Sequence, residues 1–411
     1  MRDVQPANGR FTDVAPVGGG FGGTLWGSAG IVVAWESYRQ YGDITLLSDH
    51  YEAMKKYIAF LETKVMPENQ ILNEGPLGDW LSPEGNKNDN TLFWMSYFAY
   101  DLEIMSKVAS ELGKSEDAKS FAKRSEEVKA VFNQVYVDKN KHKTVKSGLV
   151  TGFMGAPNEA DERGASDKGQ LMNTQASYAV PLALDMFDAE NKPFAVNNLE
   201  ATILKPGTDD GGVVRPELSL MTGFIGTASI SEALSENGKE ELAYKLLLNE
   251  KYPSWLYSVV NGATTIWERL NSYTKEDGFG GNNSMNSFNH YSFGAVAAWM
   301  YNYSLGIQRH PEINGFKEFV LKPTPDPTKQ LKFAKGYYDS LYGRIESAWE
   351  WKEGNKWIYK CTVPANTTAT LYLPANKVIK ESGIAIELEK GDGQNGSISL
   401  DSGSYIFEIG Q

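Results

Sequence analysis

The chain has 411 residues, 41% of them hydrophobic and 22% charged, with a formal net charge of −12. The length predicts at least two domains, and the hydrophobic fraction is enough for folded cores rather than disorder. The acidic balance argues against nucleic acid as a partner, no stretch approaches the ~20 apolar residues that cross a bilayer, and the single cysteine, Cys361, excludes an intrachain disulfide.

Residues 1–25 read as loop. RDVQPANGRFTDVAP, after Met1, has neither a basic nor an apolar leader region, so no signal peptide is expected and the compartment stays open. The segment reads like the middle of a longer protein. GGGFGG (18–23) lacks the GxxxxGK[ST] pattern of a phosphate loop and serves as a flexible approach to Trp26.

From about 27 to 307 the apolar period is helical. SAGIVVAWESYRQYG (28–42) predicts a helix with Ser28 as its N-cap and Gly42 at its end. Asp43 is expected to cap the next, which runs through Tyr51, Met54, Tyr57, Ile58 and Leu61. Further helices are expected over 90–114 and over 115–137, the latter with Ser115 and Asp117 close to a capping box. Others follow at 168–189, 194–204, 218–236, 238–249 and 285–307. Long loops at 67–90, 205–217 and 261–285 hold Asp79, Trp80, Glu268 and His290 at or near their ends. Loops of that length in a folded domain are usually functional or disordered, and their Trp, Gly and Asp content favours function.

After about 315 the period becomes two. Strands are expected at 316–323, 332–340, 344–353, 355–364, 368–374, 382–389, 396–400 and 403–409, making a small antiparallel sandwich. The boundary falls near Pro311 and Gly315, which gives a helical domain over 1–310 and a sandwich domain over 311–411.

The chemistry is suggested by 10 Trp and 21 Tyr, whose rings suit the C–H faces of sugars. Glycosidic hydrolysis needs two carboxyl groups, one to protonate the leaving oxygen and one to activate water or attack carbon. Glu268, in NGATTIWERL (261–270), is the best candidate, with Trp267 beside it to form an apolar wall. A surface glutamate paired with Arg269 fits the same spacing. Asp79, in LGDWLSP (77–83), is second, either binding sugar hydroxyls or forming a turn. His290, in SFNHYSFG (287–294), is a donor to a sugar hydroxyl or a structural histidine. Nothing links Ser28 to a base, and the adjacent Asp209 and Asp210 read as a tight loop. His50, His142, His290 and His310 show no ligand spacing, so no metal or other cofactor is expected.

At these residues the chain resembles glycoside hydrolase family 78, the α-L-rhamnosidases. The segments that carry the likeness are GRFTDVAP (9–16), LWGSAG (25–30), SYRQYGDITLLSDHYEAMKKYI (37–58), GDW (78–80), LMTGFIGT (220–227), YPSWLYSVVNGATTIWERLNSY (252–273) and MNSFNHYSFGAVAAWMY (285–301). GFKEFVLKP (315–323) and YGRIESAWEW (342–351) extend it into the sandwich. The resemblance implies an α+β multidomain protein, an (α/α)6 barrel followed by an antiparallel β-sandwich, acting on a rhamnose-containing glycoside with inversion. It implies that Glu268 is the general base, that Trp26, Trp80 and His290 line the sugar subsite, and that Asp79 holds hydroxyls or orients a partner. Two departures accompany it. The family's general acid precedes the segment matching GRFTDVAP, so the acid and the first barrel helices are expected to be missing from this chain. Ser28 replaces the Asp of the family's Trp-Gly-Asp-Ala motif. An inverting hydrolase of another glycoside, or a sugar-binding protein without turnover, are the other readings.

Overall fold

Helices alternate with long connections through the first 300 residues of a computed structural model, which describes every residue except 21, 150–166, 276–277, 280–284, 392 and 411. The GGGFGG run and the 261–285 loop therefore lie partly outside the described residues. Two contact units emerge. One comprises 1–35, 45–237 and 246–294; the other comprises 36–44, 238–245 and 295–411. No helix among the described residues is long and apolar enough to cross a membrane.

The first unit contains α1 (Thr24–Gly27), part of α2 (Ala29–Tyr41), α3 (Thr45–Glu62), α4 (Asn90–Glu111), α5 (Ser115–Tyr136), α6 (Gln175–Ala183), α7 (Lys192–Ile203), α8 (Phe224–Glu236), the end of α9 (Glu240–Leu247) and α10 (Trp255–Val260). Its centre is α4, whose buried residues include Trp94, Phe98, Asp101 and Met105, one every three or four positions and so on one helical stripe. Asp89 starts this helix by accepting from Thr91 N, and its other oxygen takes Ser147 N at 2.8 Å. The partner α5 lays Val128, Phe132 and Tyr136 into the core.

Several expected helices are shorter than their periodicity suggests. The 168–189 run is helical only over Gln175–Ala183, because Asn173 (φ 50°) and Asp185 (φ 48°) adopt left-handed backbone outside each end. Thr174 and Ser177 form the capping box that sets its start. Leu218 (φ 63°) likewise lies ahead of α8, which begins at Phe224. Ser115 is inside α5, not at its cap; the N-cap is Lys114, and Asp117 accepts from Tyr51 and Lys55. The 285–307 helix is the largest difference. Only Ser292–Ala295, α11 (Val296–Trp299) and Met300–Ser304 are helical, because residues 287–290 bond laterally to 266–268.

The second unit is a sandwich. A five-stranded sheet has the order β13 (Glu389–Lys390), β14 (Asn395–Leu400), β10 (Thr368–Pro374), β6 (Glu318–Leu321), β5 (Ile307–Arg309). A six-stranded sheet has the order β12 (Ile384–Ile386), β11 (Val378–Glu381), β15 (Gly403–Gly410), β9 (Lys356–Val363), β8 (Gly343–Lys352), β7 (Phe333–Ser340). Short hairpins β1–β2 (Val137–Asp138, Lys143–Thr144) and β3–β4 (Gly207–Thr208, Val214–Arg215) belong to the first unit. Pairing in the sandwich is antiparallel except for β6 with β10. Alternation buries Ile345, Ser347 and Trp349 on β8 and Trp357, Tyr359, Cys361 and Val363 on β9. Trp349 Nε1 donates to Ser304 O at 2.8 Å, which satisfies a buried indole.

Candidate active site

The site is built where two loops run side by side. Ser254 caps α10, and Trp255 Nε1 donates to Phe293 O at 2.8 Å, fixing the helix from which the 261–268 loop leaves. Glu268 N donates to Ser287 O at 2.9 Å and His290 N to Ile266 O at 2.8 Å. Ser287 N in turn donates to Glu268 Oε2 at 2.8 Å. Glu268 is 8% exposed, and its Oε1 has no hydrogen-bond partner among the described residues. Arg269 Nε is directed to Met285 O, away from an ion pair with its neighbour.

The rings around this ladder are equally constrained. Trp267 is buried and meets Phe288 edge-on, with centroids 5.3 Å apart. His290 packs against Phe224 at 4.8 Å and stacks on Tyr291 at 5.5 Å. Its Nδ1 accepts from Ser292 N at 3.3 Å, which leaves the proton of a neutral ring on Nε2. Tyr291 is 82% exposed and forms an open rim.

Asp79 and Trp80 reach the same place through α8. Gly223 N donates to Asp79 Oδ2 at 2.7 Å and Gly226 N to Oδ1 at 2.8 Å, while Phe224 N donates to Trp80 O at 2.9 Å. A carboxylate at a helix N-terminus answers its free amides and its dipole. A Cβ on Gly223 would lie 2.2 Å from Trp80 O, so only glycine permits this approach. Both oxygens of Asp79 are thus engaged by backbone, and Asp79 orients the turn that carries Phe224 to His290. Burial nevertheless pushes its carboxyl up to about 6, against the amides that lower it. In the same loop Glu84 accepts from Gln175 N at 3.2 Å and is pushed up to about 7, chiefly by burial.

Trp26 belongs to a second group. A Cβ at Gly22 would lie 2.6 Å from its ring, and Gly22 N donates to Asp13 Oδ2 at 2.6 Å, so the glycine run packs closely on the indole. Ser28, expected to cap α2 with its side chain, instead sits in helical backbone at the α1–α2 junction and donates to Asp101 Oδ2 at 2.6 Å. Asp101 is fully buried, and desolvation holds its carboxyl well above the usual range. Among the described residues its Oδ1 has no hydrogen-bond partner, and the Tyr57 hydroxyl lies close to Ser28. Tyr97, whose hydroxyl is pushed up by burial and then by Asp101, Asp79 and Tyr291, connects this group electrostatically to the first.

Asp101, Tyr97, Tyr57 and Phe224 were not expected as site residues from the sequence. Asp101 had a legible signal, a carboxylate within the apolar stripe of α4. Asp209 is the turn residue it resembled: it accepts from Gly211 N and Val213 N and pairs with Arg215. Among the described residues no three His, Cys, Asp or Glu side chains gather to hold a metal ion.

Comparison with known proteins adds a consistent family. Residues 1–304 match the bacterial alpha-L-rhamnosidase 6 hairpin glycosidase domain, and residues 306–384 match the bacterial alpha-L-rhamnosidase C-terminal domain. An alpha-L-rhamnosidase of Formosa agariphila is 32% identical over 99% of this chain and 41% of its own length. One of Streptomyces avermitilis is 30% identical over 100% of this chain and 35% of its own. The crystal structure of Streptomyces avermitilis alpha-L-rhamnosidase complexed with L-rhamnose superposes with a TM-score of 0.80 at 27% identity, covering 100% of this chain and 35% of that one. The alpha-L-rhamnosidase structure from Dictyoglumus thermophilum gives 0.81 at 28%, covering 100% and 42%. The chain thus spans about two fifths of the length of these relatives.

Proposed function

The chain belongs to the bacterial α-L-rhamnosidase family of six-hairpin glycosidases, and on that footing we propose that it serves hydrolysis of terminal α-L-rhamnosyl residues with inversion, Glu268 acting as general base. The observation that carries the proposal is the state of Glu268. One oxygen is held by Ser287 N, the other is without a protein partner among the described residues, and the residue is almost enclosed. A carboxylate so fixed can order one water and take its proton as that water attacks the anomeric carbon.

The surrounding residues take roles that follow from their chemistry. Nε2–H of His290 donates to a sugar hydroxyl. Trp26 and Trp80 supply ring faces for the sugar, and Trp267 backs Glu268 as the wall behind it. Asp79 acts as an orienting residue, because its oxygens already hold α8. Inversion also needs a proton donor roughly 6.5–9.5 Å from the base. Asp79 is committed to backbone amides and Asp101 is sealed in the core, so leaving-group protonation is assigned to a carboxyl other than these two.

The test compares the protein with its Glu268→Gln variant on an aryl α-L-rhamnoside, with L-rhamnose binding followed by calorimetry. Turnover is expected to fall by roughly 10²–10⁴-fold while binding persists, with the β anomer released first. Equal turnover by the variant rejects Glu268 as base. The engagement of Asp79 and Asp101 also favours a second reading, sugar binding without turnover. L-rhamnose binding with no hydrolysis by the unmutated protein, even when it is joined to the upstream region of a family relative, selects that one.

A further inference from the structure

The outward face of the six-stranded sheet differs in charge from the rest of the chain. Alternation turns Lys335, Arg344, Lys352, Lys356, Lys360 and Lys380 outward, against Asp339, Glu346, Glu350 and Glu408. Basic residues thus outnumber acidic ones on this face of a protein whose net charge is −12. The face carries an open concavity of about 860 Å³, within the range of small-molecule sites.

Strand register arranges two rows across the concavity. One runs Tyr337, Glu346, Thr362, Ser404 and the next runs Lys335, Ala348, Lys360, Ile406. In the first row Thr362 Oγ1 donates to Glu346 Oε2 at 2.9 Å and lies 3.2 Å from Ser404 Oγ. This gives a line of hydroxyl and carboxylate groups ending in an exposed aromatic ring. Arg344 lies 3.8 Å from the Tyr337 ring centroid and bonds Asp339 at 2.7 Å, so one ring face is already braced. In the second row Ala348 makes a small floor between two lysines that are two strands, or about 10 Å, apart. Beyond their backbone ladder bonds, neither Lys335 nor Lys360 has an ion-pair or hydrogen-bond partner for its Nζ among the described residues.

We propose that this face is a second carbohydrate site, distinct from the Glu268 site, that binds an oligosaccharide carrying ring carboxylates. The aromatic ring stacks a pyranose, the Glu346–Thr362–Ser404 line meets its hydroxyls, and Lys335 and Lys360 bracket a carboxylate over Ala348. The only guanidinium of the face is committed to Asp339, so the fork that favours bidentate sulfate or phosphate is not free. The free cations are point charges at the ends of flexible stems, suited to a carboxylate carried by the sugar ring.

Titration with a galacturonic acid trisaccharide, against the neutral trisaccharide maltotriose, tests it on the full chain. The acidic sugar is expected to bind at least roughly ten-fold tighter at about 20 mM salt, with most of that advantage gone at about 500 mM. Lys335→Gln with Lys360→Gln should remove the preference, and Tyr337→Ala should weaken both sugars. Amide NMR shifts should cluster on β7, β8, β9 and β15, which reports the site without any substitution. Equal binding of acidic and neutral sugars overturns the proposal. So does undiminished binding by the double variant, amide shifts that cluster around Glu268 instead, or tighter binding of a sulfated trisaccharide than of the uronate.

Discussion

Glu268 and Ser287 hold each other twice: the amide of Glu268 donates to the carbonyl of Ser287 at 2.9 Å, and the amide of Ser287 donates to the carboxylate of Glu268 at 2.8 Å. The same pair of residues therefore fixes both the backbone and the side chain of the proposed base. Shortening that side chain by one methylene in Glu268→Asp withdraws the carboxylate from Ser287 N. A loss of roughly 10²–10³-fold in kcat is expected, since misplacement by about 1 Å can cost two orders of magnitude. L-rhamnose affinity should change little. Wild-type kcat in this variant would show that the ladder does not position the reacting group.

The ring of His290 is packed against Phe224 while Nδ1 is used internally. His290→Phe keeps a ring of similar size and removes the Nε2 donor. L-rhamnose binding should weaken by roughly 3–10-fold, the worth of one ordinary hydrogen bond, while loss of the Nδ1 acceptor of Ser292 N should lower the melting temperature only slightly. A large drop in melting temperature with intact affinity would make His290 structural.

Asp101 is buried with its carboxyl held well above the usual range by desolvation, and Ser28 donates to its Oδ2. Asp101→Asn, a neutral group of the same shape, should cost less than about 1 kcal/mol. Ser28→Ala leaves both oxygens of Asp101 without a partner and should cost about 1–3 kcal/mol. Chemical denaturation of both variants checks this, and the reverse ranking would show that Asp101 is charged in the native state.

Asp79 and Glu84 predict a pH dependence. Their folded-state values, about 6 and about 7, lie above the ordinary carboxyl range, so the native state binds more protons than the unfolded chain in between. Stability that is fully present below that range is lost as pH rises through about 6 and then about 7. The urea midpoint should therefore fall between roughly pH 4 and 7 and level off above, and Glu84→Gln should flatten the upper part of the slope. A midpoint that rises with pH across this window would contradict the burial of these groups.

Much of the candidate site was legible as a grouping because its residues are local in sequence. Trp267 precedes Glu268, Trp80 follows Asp79, and both pairs lie in long loops. The role of Asp79 was not legible, since a Gly-Asp-Trp turn reads alike whether its carboxylate faces a sugar or a helix. The amides it binds, at Gly223 and Gly226, are more than 140 residues away. The helical reading of 285–307 failed for a related reason. Its apolar spacing is helical, but the 287–290 backbone finds partners at 266–268, and those bonds replace the helix ladder.

By itself the sequence determined the helix-then-strand order, the two faces of the sandwich strands and the family, because periodicity and short motifs are set by neighbours along the chain. Only the tertiary structure decided which oxygen of Glu268 is open, that Asp79 caps α8, and that Ser28 meets Asp101. Each of these rests on a bond between segments distant in sequence, and buried polar atoms choose such partners by what packing places within reach.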